Sequence, residues 1–303
     1  MYDIAVILIN YNSSRLSIDC IKSIYEKTSD KISFQVIITD NCSEKTDFEN
    51  LKSFCDHSHL PNLTLLQNKI NAGFGGGNMY GFAHSDAKYL AFVNNDTLFL
   101  NDCLGILKKH LDTDDSIGIA GAQAYKENNR FLISLDHFAS PAREILGRGF
   151  LELINPKKYP KRKKRYNAPV RVNFIPGSFM FVRCNDFIKA GGFDKQIFLY
   201  YEETDLCMRL ANINKFAYLI PEAEFIHFHG ASTEKSLAIK KELKISLLYI
   251  MKKHYGNLGY QSVRWFLLLK YGLSSLFKAK NRPLFSLILR GAPMSESLQH
   301  KQN

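Results

Sequence analysis

The sequence predicts an α/β fold built on a mostly parallel, doubly wound sheet, and two observations carry that expectation. Short apolar runs alternate with amphipathic stretches through the first half of the chain, as repeated strand–helix units require. Three of the runs close on polar residues: Asn10-Tyr11-Asn12, Asp40-Asn41 and Asn94-Asn95-Asp96. Ligands of such sheets bind beyond the carboxyl ends of the strands, so these ends are the first candidate positions for a site.

The elements follow in order. Ile4–Ile9 is a buried first strand, not an export signal, because Met1-Tyr2-Asp3 supplies no basic leader and the apolar run is short. Leu16–Tyr25 reads as a helix, Phe34–Thr39 and Leu63–Gln67 as strands, Met79–Ser85 as a helix and Tyr89–Val93 as a strand. Leu104–Leu111 reads as a helix and Ile117–Gly121 as a strand. A strand over Arg171–Val182, a short helix, an acidic helix start at Glu202-Glu203-Thr204-Asp205 and apolar segments at Phe216–Pro221 and Phe225–His229 continue the same domain, placed at residues 1–234. Residues 235–303 are expected to form a basic helical extension, with helices at Leu243–His254 and Tyr260–Lys278 and a disordered end after about Pro293. The apolar stretch Trp265–Leu269 is too short to span a bilayer.

Composition narrows the function. A chain of 303 residues with 46% hydrophobic content and 13% aromatics buries a full core and is not disordered. Six cysteines without C-x-x-C spacing predict reduced thiols in a cytoplasmic protein. The net charge of +11 is localised, since residues 235–303 hold thirteen Lys and Arg against Glu242 and Glu296, while the rest balances at 27 of each sign. A second basic cluster, Lys157–Arg165, reads as a loop that serves as a clamp for an anionic acceptor, as a lid, or as a solvated charge run.

Four motifs carry candidate chemistry, each ambiguous alone. Asp96, flanked by the amides of Asn94 and Asn95, suits a divalent cation held against a diphosphate, yet by itself it reads better as a turn residue. The run Asn71-Ala72-Gly73-Phe74-Gly75-Gly76-Gly77-Asn78 before a helix permits close backbone approach to a ligand or makes a flexible turn. It is not a dinucleotide fingerprint, because Asn78 stands where the last glycine is needed. Glu202, Glu203 and Asp205 at a helix start repel one another, which raises a carboxyl pKa toward general-base duty, or they complement the helix dipole. His227 and His229 alternate onto one face of a strand as metal ligands or as ordinary hydrogen-bonded histidines.

Taken together and in order, Val6–Asn12, Ile38–Ser43, Asn71–Asn78, Phe92–Thr97, Pro176–Met180, Gly191–Asp194 and Tyr200–Arg209 resemble family 2 glycosyltransferases, over about Ile4 to Ser232. Within that family the glycine block and Phe198-Leu199-Tyr200-Tyr201-Glu202-Glu203-Thr204-Asp205-Leu206 look like the rhamnosyltransferase branch of O-antigen and surface polysaccharide synthesis. The resemblance implies a GT-A fold: a Rossmann-like, mostly parallel sheet flanked by helices. It implies a donor site of Asn10, Asn12, Asp40, Asn71, Gly73, Gly75, Asn78, Asn95 and Asp96. It further implies a divalent cation, Mg²⁺ or Mn²⁺, on Asp96 and His227, with His229 in reserve. Asn94 replaces the first acid of the family's Asp-x-Asp element, which leaves the metal fewer charges. Glu203 maps to the base, with Glu202 as the alternative. The implied partners are dTDP-rhamnose or a UDP-sugar and a polyprenyl-diphosphate-linked glycan, met at the inner face of the cytoplasmic membrane.

The basic extension suits an anionic membrane surface, or it packs as a helical pair on its own domain. A nucleic-acid-binding protein would use the same basic clusters, but it leaves the acidic helix start and the glycine block unexplained and shows no recognition-helix, zinc-finger or RNP pattern. No nucleic-acid partner is expected.

Overall fold

The computed structural model describes residues 1–228 and 236–301. The chain runs β1 (Tyr2–Asn10), α1 (Ser14–Lys27), β2 (Phe34–Asp40), α2 (Lys45–His57), β3 (Leu63–Gln67), α3 (Gly73–Ala83) and β4 (Ala87–Asn94). It continues through β5 (Thr97–Phe99), α4 (Cys103–Thr113), β6 (Ile117–Tyr125), α5 (Pro141–Leu146), α6 (Arg148–Ile154), β7 (Val170–Val172) and β8 (Phe179–Arg183). It ends with α7 (Cys184–Lys189), α8 (Glu202–Asn212), β9 (Phe216–His227), α9 (Leu237–Phe277) and α10 (Arg282–Leu289).

The nine strands of the described residues join one sheet, in the order β3-β2-β1-β4-β8-β6-β9-β5, with β7 also paired to β9. The predicted parallel arrangement holds across β3, β2, β1 and β4, and again between β6 and β9. β8 lies antiparallel between β4 and β6, which makes the second half of the sheet mixed. Central β1 explains its own composition: Ile4, Ala5, Val6, Ile7 and Leu8 are all fully buried, as a parallel strand covered on both faces requires. One core layer packs α1, α2 and α4 on one face, and a second packs Phe187, Phe193, Leu206 and Leu210 on the other.

Several boundaries differ from the sequence reading. The helix expected from Met79 begins at Gly73, so the glycine run is helical and not a flexible turn. Its glycines are close-packing positions: a Cβ on Gly77 would lie 2.9 Å from the Asn41 side chain, and one on Gly81 would lie 2.6 Å from Ile7. Helix α2 was not anticipated, because only Leu51 on it is buried and the apolar period is faint. The strand expected over Arg171–Val182 is two strands, β7 and β8, interrupted around Pro176-Gly177. The two segments from Phe216 form the single strand β9, whose Pro221 sits at a register shift against β6.

The extension packs on the rest of the chain. α9 bends at Gly256, which has a positive φ of 63°. Its Ile245, Leu248, Ile250 and Met251 cluster with Ala139 and Ile197. Ser246 Oγ donates to Leu199 O at 2.9 Å. The expected disorder after Pro293 is not found up to residue 301: Ser297 is fully buried, and Ser297 Oγ and Leu298 N donate to Glu242 at 2.7 and 2.8 Å. A buried carboxylate needs such donors, and the chain end supplies them. No helix among the described residues is long and apolar enough to cross a membrane. His229, Ser232 and the 234/235 boundary lie outside the described residues.

Candidate active site

The ends of β1 and β2 meet in a polar knot. Asn10 is fully buried, and its Nδ2 donates to Asp40, Ser43 and Asp47 at 2.9, 3.1 and 2.8 Å, while its Oδ1 accepts from Ser17 Oγ. Asp40, also fully buried, takes Ser43 N–H on its other oxygen at 3.0 Å. Asn12 adopts a left-handed φ of 50° and ties this turn to α2, accepting from Glu44 N at 2.7 Å. Asn95, at the end of β4, donates to Ser13 and Ser17 Oγ at 2.7 and 2.8 Å, which draws the start of α1 into the same knot. Sequence reading missed Asp47, whose Oδ1 accepts from Ser14 N at 2.8 Å at the start of α1. Burial pushes the Asp47 pKa up, but these bonds from Asn10 and Ser14 outweigh it, and the net shift is downward.

A second amide cluster fixes α3. Asn41 Nδ2 donates to Gly73 O at 2.9 Å, and Asn68 Nδ2 donates to Asn41 Oδ1 at 2.7 Å. Asn71 Oδ1 accepts from Gly73 N at 2.9 Å. Gly73 has φ +70°, and a Cβ there would collide with the carbonyl oxygen of Phe198. Gly75 faces Phe193 and Ile197, and buried Asn78 turns back to Phe74 O at 3.1 Å. Gly73 and Gly75 therefore meet protein atoms, and the amides of Asn41, Asn68 and Asn71 supply the polar groups around the helix start.

Asp96 follows the β4 end and is 2% exposed. Antiparallel pairing of β5 with β9 sets Thr97 opposite His227, and Nε2 of His227 comes within 3.2 Å of Asp96 Oδ1. That oxygen is buried and makes no hydrogen bond among the described residues. A carboxylate and an imidazole so close, with one carboxylate oxygen left without a hydrogen bond, suit a divalent cation completed by substrate oxygens. Among the described residues no group of three or more His, Cys, Asp and Glu could hold a metal by itself.

The acidic helix start sorts its carboxylates. Tyr200 and Tyr201 both take left-handed φ values, 72° and 75°, immediately before α8, which is the kind of strain that collects at sites. Glu203 faces a cavity of about 200 Å³ lined also by Asp136, Arg143, Arg148, Phe174 and Tyr200. Its Oε1 accepts from Gly177 N at 3.0 Å, and any Cβ at Gly177 would stand 2.8 Å from that oxygen. Burial raises the Glu203 pKa against the two backbone N–H bonds that lower it. Glu202 does not line the cavity; it is 1% exposed, its Oε1 makes no hydrogen bond among the described residues, and burial plus the charge of Glu203 push its pKa well up. Asp205 is consumed elsewhere by Arg209, Lys253 and His254, each at 2.7 Å; burial raises its pKa, but the hydrogen bond from His254 and the charges of Arg209 and Lys253 prevail and set it at about 2. The Pro176–Ser178 turn links the two halves, since Ser178 O accepts from Asn94 N at 3.0 Å while Gly177 holds Glu203.

The family model described as "Glycosyl transferase family 2" matches residues 5–188. This chain belongs to glycosyl transferase family 2. Rhamnosyltransferase WbbL of Escherichia coli K12 is 30% identical over 246 residues, which is 78% of this chain and 89% of that protein. The N-acetylglucosaminyl-diphospho-decaprenol L-rhamnosyltransferase of Mycobacterium tuberculosis is 30% identical over 105 residues, 34% of each chain. GalNAc-T7, solved with UDP, GalNAc and Mn²⁺, superposes with a TM-score of 0.62 at 12% identity, covering 96% of this chain and 56% of its own. Mannosyltransferase PcManGT of Pyrobaculum calidifontis, solved with GDP-Man and Mn²⁺, gives 0.59 at 13% identity, covering 95% and 86%. The fold is thus GT-A, and this family 2 chain is a nucleotide-sugar-dependent glycosyltransferase of the rhamnosyltransferase-like kind.

In this glycosyltransferase the basic loop is partly anchored. Arg162 pairs with Glu152 at 2.9 Å, and Arg165 donates to Tyr125 at 2.8 Å. Sequence reading also missed Asp136, Arg143 and Arg148 on the cavity wall, because no local motif marks them; only the fold brings residues of the β6–α6 region to Glu203.

Proposed function

We propose that this enzyme transfers L-rhamnose from dTDP-rhamnose, with inversion and with a divalent cation, onto a polyprenyl-diphosphate-linked glycan during bacterial surface polysaccharide synthesis. The observation that carries the reading is Glu203: one carboxylate of the acidic helix start opens on a cavity, its basicity raised by burial, while its neighbours Glu202 and Asp205 are turned elsewhere. Glu203 takes the proton of an acceptor hydroxyl as that oxygen attacks the anomeric carbon. The bond from that carbon to the donor phosphate breaks, and its electron pair leaves with the nucleoside diphosphate. Asp96 and His227 hold the cation, Mg²⁺ or Mn²⁺, which when bound neutralises charge on the diphosphate. Asn10, Asn12, Asp40 and Asn95 shape the nucleotide end. Asp40 does so chiefly by holding the Ser43 turn, since both its oxygens already accept hydrogen bonds. Asn71, Gly73, Gly75 and Asn78 position α3 beside that pocket. The rhamnosyltransferase relatives support the donor sugar, and the decaprenol-linked substrate named for one of them supports the acceptor class. The basic extension supports work at the inner, anionic face of the cytoplasmic membrane.

Thermal melting with dTDP, UDP and GDP, with and without Mn²⁺, tests the donor reading. A rise in melting temperature that is largest for dTDP, needs metal, and disappears in Asp96→Ala supports it. A larger rise with UDP replaces the donor by a UDP-sugar, and a metal-independent rise removes the cation. Retention of anomeric configuration in the isolated product eliminates the single displacement.

A further inference from the structure

We propose that α5, α6 and the lysine-rich loop after them form an interfacial element that seats the mouth of the Glu203 cavity on an anionic lipid surface. The inference rests on the reading that the acceptor is lipid-linked, and adds where this chain meets the lipid. Five apolar side chains on these two short helices face solvent: Ile145, Leu146, Phe150, Leu153 and Ile154 are 41, 52, 48, 77 and 57% exposed. Exposed apolar residues of a soluble surface are ordinarily scattered singly, so five within ten positions ask for a partner.

The charge around them names its chemistry. Lys157, Lys158, Lys161, Lys163 and Lys164 follow directly and are all exposed. Residues 141–165 contain only two acids, and both are paired within the protein: Glu144 with Arg143 at 2.7 Å, and Glu152 with Arg162 at 2.9 Å and His137 at 3.2 Å. The outward side is therefore apolar and cationic, the combination that binds at a headgroup boundary. A second copy of the chain is the less favourable occupant, because a symmetric contact would set these lysines against their own equivalents.

The inward side of the same element belongs to the cavity. Arg143 and Arg148 line it with Glu203, and Arg148 is clamped to Asp136 by hydrogen bonds of 2.8 to 3.0 Å. A surface that embeds Leu153 and Ile154 thus brings this cavity to the interface, where a lipid-linked acceptor presents its sugar.

The test is flotation of the full-length chain with vesicles of phosphatidylcholine, alone or mixed with phosphatidylglycerol. Wild type is expected to float only with the mixed vesicles. Leu153→Glu/Ile154→Glu and Lys157→Glu/Lys158→Glu are each expected to cut the bound fraction at least tenfold, with melting temperature and nucleotide binding unchanged. Leu273→Glu/Leu276→Glu, which alters exposed residues of α9, is the comparison. The proposal is overturned if the α5–α6 variants float like wild type, if only the α9 variant loses binding, or if the α5–α6 variants convert a dimer to a monomer in sedimentation. Flotation that is lost in the variants of a protein that transfers no sugar would retain the lipid contact and sink the transferase reading. Transfer to a water-soluble acceptor by a protein that never floats would do the reverse.

Discussion

At the scale of single residues, two adjacent glutamates are given opposite tasks by a turn of helix. Glu203 opens on the cavity under the Gly177 N–H, and Glu202 is sealed inside with Oε1 lacking a hydrogen bond. Glu203→Gln keeps the shape and removes the carboxylate proposed as the base, so transfer should fall by about 10²–10⁴-fold with little change in melting temperature. A base must be ionised to act, and burial raises this one. The acid limb of the kcat/KM profile should therefore lie above the ordinary glutamate value of 4.5, with rate lost as pH falls through it. Glu202 affects stability instead. Its folded pKa is raised, so the folded state holds a proton the unfolded chain has released, and stability declines as pH rises from 4.5 toward the folded value. Glu202→Gln should remove that decline, and the difference in melting temperature between variant and wild type should grow with pH across this window. A constant difference would mean that Glu202 is not protonated in the fold. The sequence showed that acids cluster here, but not which one lines the cavity, because that depends on the left-handed turn at Tyr200-Tyr201, for which no glycine gives a signal.

At the scale of elements, α3 and α8 show how packing overrules propensity. A helix opening with Gly73, Gly75, Gly76 and Gly77 forms poorly alone, yet close contact with Asn41, Ile7 and the Phe198 carbonyl holds it. Gly81→Ala should cost roughly 1–3 kcal/mol in urea unfolding, since its Cβ would overlap Ile7 in a fully packed layer. The glycines were legible as a motif but not as a helix, since their reason lies in β1 and β2, which approach only in three dimensions. β1, β2 and β4 were legible to within two residues at either end, because each carries an apolar run that a parallel sheet buries on both faces; edge strand β3 was legible from its leucines, although none of them is fully buried. α8 is tied to α9 through Asp205, whose hydrogen bond from His254 and ion pairs with Arg209 and Lys253 hold its pKa at about 2. Asp205→Asn leaves Arg209 without its counter-charge, Lys253 with Asp194 alone and His254 without its acceptor, and should destabilise the fold by roughly 1–3 kcal/mol, read by denaturant titration. Because the folded pKa is depressed, this contribution is full above the ordinary aspartate value of 3.8 and fades as pH falls toward 2.

At the scale of the whole molecule, the basic extension shares a core with the residues before it. The sequence located the charge of the extension but left open whether its helices serve a membrane or pack at home, since an apolar stripe is consistent with both. The structure assigns different residues of one helix to different surroundings. Ile245, Leu248 and Met251 are buried with Ile197, and Lys253 and His254 reach Asp205, whereas Trp265, Leu269, Leu273 and Leu276 are 61 to 73% exposed. A chain ending at Glu234 would expose Ile197 and Ala139 and leave Asp205 paired with Arg209 alone among these partners. It should lose the apolar packing of α9 together with two of the three partners of Asp205, and melt lower or less cooperatively. Truncation is therefore a poor probe of membrane binding, because a misfolded remnant adheres to vesicles for its own reasons. Leu273→Glu/Leu276→Glu alters the exposed stripe without touching that core, so calorimetry should find its melting temperature within a few degrees of wild type. A truncated chain that melted as sharply and as high as the whole would show that residues 1–234 are an independent domain, and would return α9 to the role of a detachable arm.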